Sequence, residues 1–348
     1  MTSARLRNLI IVINCILLTA CKASEPASGD TELYPFIEDN QVGFVDNSLN
    51  TQIPAKFKFL QSKVWPYQFS EGLAAVSFLG SIGYINRQGK IVIDPKFDYG
   101  GPFHNGMALV RQNGEYGYIL KSADFAIKPQ FYEAHNFHNG LALVQKQSNN
   151  KWGFIDHDGN FTIKPQFINA RSFSDGLALV QTAEHNEWGY INEKGEITIK
   201  PQYSKAKSFA EGLAPVQLKF QQWGYINKNG AVVISSQYLE AKPFSEQKAA
   251  VAMPVDNSNL EEKHYGFINT RGQFIIEPKF DYAYSFREGL ARVKINEKYA
   301  YIDNRGNMIT EPIFDRAWNF NNGLALVKLG KKYGYINKQG IFMLEPLS

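Results

Sequence analysis

Histidines, carboxylates and tryptophans are the side chains of this 348-residue chain whose types and spacing could support chemistry. Three of the six histidines, His104, His135 and His138, lie close together in the sequence, and imidazole is a common zinc ligand. The place that His104 takes after a phenylalanine is held by Ser70 or Asn321 elsewhere. We therefore interpret it as a permissive turn position and expect no metal site.

Carboxylates recur at regular intervals, either just before Gly-Leu-Ala or beside a proline. Stacked repeats could align them into an acidic row for a cation. Catalytic carboxylate pairs, however, need different environments, and repeated equivalents share one. We interpret these carboxylates as solvated turn residues: Glu71, Asp175, Glu211, Glu288, Asp94, Glu277, Glu311 and Glu345. The sequence also contains no nucleophile elbow, zinc-protease or phosphate-loop motif, so we expect no enzyme and no cofactor.

Tryptophans form the stronger candidate for binding. Trp152, Trp188 and Trp223 hold one position in three consecutive copies of a repeated pattern. A regular aromatic row can stack on sugar rings or contact a peptide, although the same residues could instead pack between repeats as core. Trp65 and Tyr67 lie in an irregular segment, where exposed aromatic side chains could anchor a partner. A second irregularity is an insertion at 253–264.

The N-terminus has the features of an export signal. Arg5 and Arg7 precede a short apolar run at 9–17, which is too short to span a bilayer as a mature helix. The run ends in Leu-Thr-Ala before Cys21, which resembles the lipobox of bacterial lipoproteins. That resemblance implies cleavage after residue 20 and lipidation, including palmitate, of Cys21.

This interpretation places the protein at the bacterial cell envelope, attached to a membrane through its lipid. The residue after the cysteine is Lys22, which in the Gram-negative sorting pattern implies the outer membrane. Residues 21–40 are expected to be the lipidated cysteine and a flexible tether. The small formal charge of +4 gives no indication of nucleic-acid binding.

Three short patterns recur in fixed order through the rest of the chain. They are aromatic-Gly-aromatic-Ile-Asn, as at 188–192, then Ile-x-Pro-x-aromatic, as at 199–203, and Phe-x-x-Gly-Leu-Ala-x-Val, as at 209–216. An Asn-x-x-Gly turn separates the first two patterns and predicts a hairpin. Each unit is therefore predicted to contain three antiparallel strands, with the phenylalanine before Gly-Leu-Ala filling the space between neighbouring units. The proline of the second pattern is expected to end its strand.

The patterns resemble the WG-repeat family of bacterial proteins from Gln41 to the C-terminus. They predict an all-β array of about nine units over residues 41–348, following a signal peptide at 1–20. Both ends of the chain carry the same two patterns instead of complementary halves of a unit. We therefore expect an open, twisted solenoid-like array, with a closed β-propeller as the alternative.

The sequence predicts a binding function of one of two kinds. A repeat array without catalytic groups is typical of a protein-binding or scaffolding module, here one that is lipid-anchored. The alternative is a glycan- or peptidoglycan-binding lipoprotein that uses the tryptophan row.

Overall fold

The computed structural model describes residues 32–46, 48–60, 67–146, 150–184, 186–218, 221–256 and 259–344. These residues contain antiparallel β-strands joined by tight turns and no α-helix. The predictions for the signal peptide, Cys21, most of the tether and Trp65 lie outside the described residues.

The strands form eight sheets. The first contains β1 (Tyr34–Glu38), β2 (Gln41–Val45), β3 (Thr51–Lys58), β4 (Leu73–Phe78), β5 (Ser81–Asn86) and β6 (Ile91–Phe97). The second contains β7 (Tyr99–His104), β8 (Met107–Gln112), β9 (Glu115–Leu120) and β10 (Phe125–Phe131), and the third β11 (Glu133–His138), β12 (Leu141–Gln145), β13 (Trp152–Ile155) and β14 (Phe161–Phe167). The fourth contains β15 (Asn169–Ala170), β16 (Ala178–Gln181), β17 (Trp188–Ile191) and β18 (Ile197–Tyr203).

The second half of the chain continues in the same order. The fifth sheet contains β19 (Leu213–Gln217), β20 (Trp223–Asn227) and β21 (Val232–Tyr238), and the sixth β22 (Glu240–Ala241), β23 (Lys248–Asp256), β24 (Asn259–Asn269) and β25 (Phe274–Phe280). The seventh contains β26 (Tyr282–Ala283), β27 (Ala291–Ile295) and β28 (Lys298–Ile302), and the eighth β29 (Arg316–Ala317), β30 (Leu324–Leu329), β31 (Lys332–Asn337) and β32 (Phe342–Leu344). The first sheet holds two repeats, joined by one pair between Lys58 and Ser77.

The prediction of three-stranded units missed a short strand that begins most of the sheets. In the second sheet this strand is β7, whose sequence Tyr-Gly-Gly-Pro-Phe-His has neither alternation nor β-branched residues. The proline prediction was also wrong, because Pro95 lies inside β6. The strand continues through a register shift opposite Gly83, whose missing Cβ would lie 2.6 Å from the Ile93 carbonyl oxygen.

The predicted role of the phenylalanine before Gly-Leu-Ala is confirmed. Each of these rings packs edge-on or tilted against a Tyr or Phe of the preceding repeat, with centroids 4.7 to 5.1 Å apart. The predicted rings are Phe69, Phe137, Phe173, Phe209, Phe286 and Phe320, and Phe103 and Phe244 hold the same place in two copies that depart from Gly-Leu-Ala. Each of eight junctions between repeats therefore contains one such aromatic pair.

The ninth junction joins the last repeat to the first. The Tyr335 hydroxyl donates to the Pro35 carbonyl oxygen at 2.9 Å, and the Tyr34 hydroxyl donates to the Asn322 carbonyl oxygen at the same distance. Phe36 and Leu326 join the same buried cluster as the two tyrosines. The array is therefore a closed β-propeller. The expectation of an open array was wrong, and strand β1 lies in the region expected to be tether.

Candidate functional site

One position recurs in five of the described repeats, eight residues before the variable residue of the Gly-Leu-Ala-x-Val strand. We call it the rim position and define it by its backbone N–H, which donates to the carbonyl eight residues ahead. Its occupants with that hydrogen bond are Arg171, Lys207, Lys242, Tyr284 and Trp318. The residue types vary while the backbone geometry is constant, which is typical of a position that carries function on a fixed scaffold.

One rim residue lies at a cavity. Side chains from four successive repeats line that cavity, including Trp318 and Gln68. Side chains from several repeats, with Trp318 among them, can therefore contact one ligand.

Lys242 stands among three tyrosine rings. Its Nζ lies 3.8 Å from the Tyr282 ring centroid, 4.7 Å from that of Tyr284 and 5.7 Å from that of Tyr265. Burial is the main cause that lowers the pKa of Lys242 to about 7; the charges of Lys207 and Arg292 contribute to this shift, and the Glu240 carboxylate opposes it. Within the described residues, its ammonium contacts ring faces and has no hydrogen-bond acceptor.

Lys207 and Arg292 flank Lys242 and join neighbouring repeats. Lys207 Nζ donates to the Ala241 carbonyl oxygen at 2.7 Å and lies 4.9 Å from the Trp223 ring centroid. The Arg292 guanidinium stacks 3.6 Å from the Tyr284 centroid. Burial lowers the pKa of both cations, although neighbouring anionic or phenolic groups oppose it. We call Lys207, Lys242, Arg292, Trp223, Tyr265, Tyr282 and Tyr284 the cation–aromatic row.

Arg292 retains unused hydrogen-bonding capacity. Its Nη1 donates to the Ala317 carbonyl oxygen, and its buried Nε has no acceptor within the described residues. Arg292 occupies a place in the Gly-Leu-Ala-x-Val strand that holds alanine, leucine or proline in other repeats, such as Leu326. A charged residue at this apolar place distinguishes its repeat from the others.

The insertion predicted as an irregularity contributes to the same region. It lengthens β23 and β24 into a hairpin in which Met253 pairs with His264. Lys263 from this extension binds Glu240 at 2.5 Å, and the Tyr265 hydroxyl donates to the other Glu240 oxygen at 2.6 Å. Burial raises the pKa of Glu240, but these two donors and the Lys263 charge outweigh it and hold that pKa below its usual range. The carboxylate is therefore engaged within its own repeat.

Of the three tryptophans of the predicted column, Trp223 contacts the rim residue Lys207. Trp223 is buried, whereas Trp152 and Trp188 are half-buried and pack against the neighbouring cores. The His135 ring meets Trp152 edge-on at 5.6 Å. The column is thus partly core, with two members that keep an accessible edge.

Tyr67 is fully buried instead of exposed. Its hydroxyl donates to the Lys58 carbonyl oxygen at 3.0 Å and accepts from the Leu60 N–H at 2.6 Å. The hydroxyl therefore links Tyr67 to the backbone at the end of β3.

In the described ranges, no group of three or more His, Cys, Asp or Glu side chains is arranged to hold a metal ion.

Several carboxylates before Gly-Leu-Ala act between repeats, which the sequence interpretation did not anticipate. Glu71 accepts from the Gly106 N–H and pairs with Lys121 at 2.9 Å, both in the next repeat. Others accept from the corresponding turn of the following repeat: Asp175 from Gly212, Glu211 from Glu246 and Gln247, and Glu288 from Gly323. These carboxylates, which we call staples, each link one repeat to the one that follows.

Sequence reasoning missed the cations of the cation–aromatic row because Lys207 and Lys242 lie between the second and third patterns, and Arg292 takes the variable position of the third pattern. A regular spacing was available as a signal. Tyr190 and Tyr225 donate to the carbonyls of Lys207 and Lys242, in each case 17 residues ahead. The same spacing links Tyr301 to Trp318.

The repeat pattern identifies the family. The chain belongs to the WG containing repeat family, whose pattern matches residues 82–116, 116–152, 152–183, 188–219, 223–253, 265–299 and 299–333. No sequence match was found among curated proteins. No helix in the described ranges is long and apolar enough to cross a membrane.

Solved structures resemble this chain in fold. One is a crystal structure of the eukaryotic initiation factor, with a TM-score of 0.62 and 10% identity over 90% of this chain and 96% of that one. Another is the computationally designed Ika8 protein, with a TM-score of 0.48 and 9% identity over 79% of this chain and 93% of the designed chain. At such identities the likeness concerns the fold alone.

Proposed function

We propose that this protein is a non-enzymatic binding or scaffolding protein of the bacterial cell envelope, held to a membrane by lipid on Cys21. Its partner is an envelope protein, and an acidic segment of that partner contacts the cation–aromatic row. The observation that carries the proposal is the position of Lys242, whose ammonium is half-buried among tyrosine rings without a hydrogen-bond acceptor in the described chain.

The charge balance of the row supports an anionic partner. Lys207, Lys242 and Arg292 lie together, whereas the neighbouring Glu240 is already engaged by Lys263 and Tyr265. A partner carboxylate would supply charge-assisted hydrogen bonds, which are about twice as strong as neutral ones. Tyrosine and tryptophan rings beside the cations offer the aromatic surface in which interface hot spots are enriched.

Capture from envelope extracts tests the partner proposal. The intact protein should enrich a partner over an unrelated lipoprotein, and Lys242→Ala should lose that enrichment. The matched control is Lys194→Ala, which removes an exposed turn lysine. Failure of the intact protein to enrich any partner, or equal enrichment by Lys242→Ala, would contradict the proposal.

Lipidation is tested separately. Cells given an alkyne analogue of palmitate should label the intact chain and leave Cys21→Ser unlabelled and released from membranes. Labelling that persists in Cys21→Ser would contradict the anchor. Fractionation of a Gram-negative host should place the labelled protein in the outer membrane.

Glycan binding is the second candidate, favoured by the accessible edges of Trp152 and Trp188. Aromatic faces of this kind stack on sugar rings. Trp188→Ala should then lose binding to purified cell wall while remaining folded. Unchanged cell-wall binding by that variant would remove this candidate.

A further inference from the structure

The junction between the first and last repeats encloses a cavity of about 300 Å³. Its wall includes Glu32, Gln68, Arg292, Trp318, Asn321 and Leu326, which come from both ends of the chain. Ligand sites typically begin at about this volume and combine apolar walls with a few polar groups. The cavity is therefore large enough for one small molecule, and it has the mixed lining of a binding site.

Two opposite charges face this cavity without neutralising each other. Arg292 stacks on Tyr284 and donates Nη1 to the Ala317 carbonyl oxygen, and its Nε has no acceptor in the described chain. The Glu32 carboxylate forms no ion pair or hydrogen bond with any described residue, Arg292 included. Unpaired charges at a partly desolvated site favour a ligand that brings the complementary charges.

The remaining lining fits the rest of such a ligand. Gln68 and Asn321 supply amide donors and acceptors, while Trp318 and Leu326 supply apolar surface. A single anion would leave Glu32 unpaired and in addition repel it. A neutral sugar would leave both charges unpaired.

We propose that this cavity binds a small zwitterion, namely a free α-amino acid or a dipeptide. The ligand carboxylate pairs with Arg292, its ammonium pairs with Glu32, and its side chain packs against Trp318 and Leu326. This site shares Arg292 with the cation–aromatic row, whereas Glu32 and Trp318 belong to the junction and not to that row. Binding here bridges the first and last repeats, so it also stabilises the closed ring.

Isothermal titration of the full chain tests this proposal. The probes are L-leucine, L-phenylalanine, L-lysine, L-glutamate and the dipeptide Leu-Leu; the single amino acids and the dipeptide distinguish the two ligand sizes. The expected result is saturable binding by at least one probe. Its N-acetyl form, which lacks the ammonium, and its amide form, which lacks the carboxylate, should each bind at least about tenfold more weakly.

Two variants test which protein charge pairs with which charge of the ligand. Glu32→Gln should weaken zwitterion binding at least about tenfold and reduce the discrimination against the N-acetyl form. Arg292→Gln should do the same for the amide form. Matched controls are Glu193→Gln and Arg271→Gln, which change exposed turn residues of other repeats and should leave binding intact.

The outcomes that overturn the proposal are distinct. They are absence of binding by every probe, equal binding by the N-acetyl or amide forms, or unchanged binding by Glu32→Gln. Because Arg292 also joins two repeats, Arg292→Gln could unfold the protein, and Glu32→Gln and Trp318→Ala then carry the test. The partner proposal is tested by capture with Lys242→Ala, and the zwitterion proposal is tested by titration with Glu32→Gln. Either proposal can therefore fail while the other stands.

Discussion

The Tyr335 hydroxyl donates a 2.9 Å hydrogen bond to the Pro35 carbonyl oxygen, 300 residues away in sequence. Equivalent tyrosines in five other repeats donate to a carbonyl of the repeat that follows: Tyr84, Tyr118, Tyr190, Tyr225 and Tyr301. The last repeat thus makes with the first repeat the same kind of hydrogen bond that other repeats make with the one that follows. This relationship makes the array a ring, and it places Arg292 and Glu32 at one cavity.

The first prediction concerns this closing hydrogen bond. Tyr335→Phe leaves the buried Pro35 carbonyl without its donor, and the free energy of unfolding should fall by about 1 kcal/mol. Urea denaturation followed by tryptophan fluorescence measures the change. Tyr132→Phe is the control because that ring is 47% exposed, and it should change stability little. Equal stability of Tyr335→Phe and the intact protein would contradict a closed junction.

The second prediction concerns a staple between repeats. Burial raises the pKa of Glu71, but the Lys121 ion pair and the Gly106 N–H outweigh it and hold that pKa below its usual value. A carboxyl with a lowered pKa stabilises the fold above its unfolded pKa and loses that effect as pH falls through the folded pKa. Glu71→Gln should therefore cost about 1 kcal/mol at pH 7 and progressively less below about pH 4.

Glu115→Gln is the control for that series, because the Glu115 side chain is exposed and forms no hydrogen bond or ion pair with a described residue. Its stability should follow that of the intact protein from pH 7 to pH 3. A Glu71→Gln cost that stays constant over this range would show that charge does not hold the two repeats together.

The third prediction concerns Lys242, whose pKa lies at about 7 in the fold, below its ordinary 10.5. Between these values the unfolded chain binds a proton that the fold has released, so the contribution of this group to stability rises with pH. Below pH 7 both states are charged and the desolvation penalty is complete. Lys242→Met should therefore increase the free energy of unfolding more at pH 6 than at pH 9.

Urea denaturation of both proteins at the two pH values measures this difference. Comparing variant with intact protein removes the titration of the nearby tyrosines. A difference between the two proteins that is the same at pH 6 and pH 9 would contradict a lowered pKa for Lys242.

The fourth prediction concerns the glycine of the first pattern. A Cβ on Gly153 would lie 2.6 Å from the Ile163 carbonyl oxygen, closer than real Cβ contacts. Gly153→Ala should therefore move the outer strand away and destabilise the repeat by about 1 to 3 kcal/mol. Gly101→Ala is the control, since its Cβ would meet ordinary contacts at 3.4 Å. Equal melting temperatures for the two variants would contradict the close strand approach.

Much of the fold follows from the sequence because repetition amplifies weak signals. The turn glycines and the Gly-Leu-Ala-x-Val strands are local features, so nine copies predict the strands and the phenylalanine contacts. One repeat departs from the rule in an informative way. Ala300 replaces the glycine, and opposite it the outer strand is reduced to isolated bridges, such as that of Tyr299 with Phe314.

Closure and the site were not predictable in the same way. Closure depends on Tyr34 and Pro35, which precede the first recognisable pattern and resemble a linker. The cation–aromatic row depends on Lys207 and Lys242, which lie outside the strands, between the second and third patterns. Both features arise from contacts between different repeats. A pattern of residues within one repeat does not show which side chains of another repeat it will contact.

The distance between the two ends tests the closed ring most directly. Spin labels at Glu38→Cys and Lys332→Cys, with Cys15 and Cys21 changed to serine, report it by pulsed electron resonance. Both sites are exposed and flank the closing junction. We predict a narrow distribution within the width of two packed sheets, about 20 Å. An open array of nine repeats at about 10 Å each would give roughly 80 Å, and that result would contradict the ring.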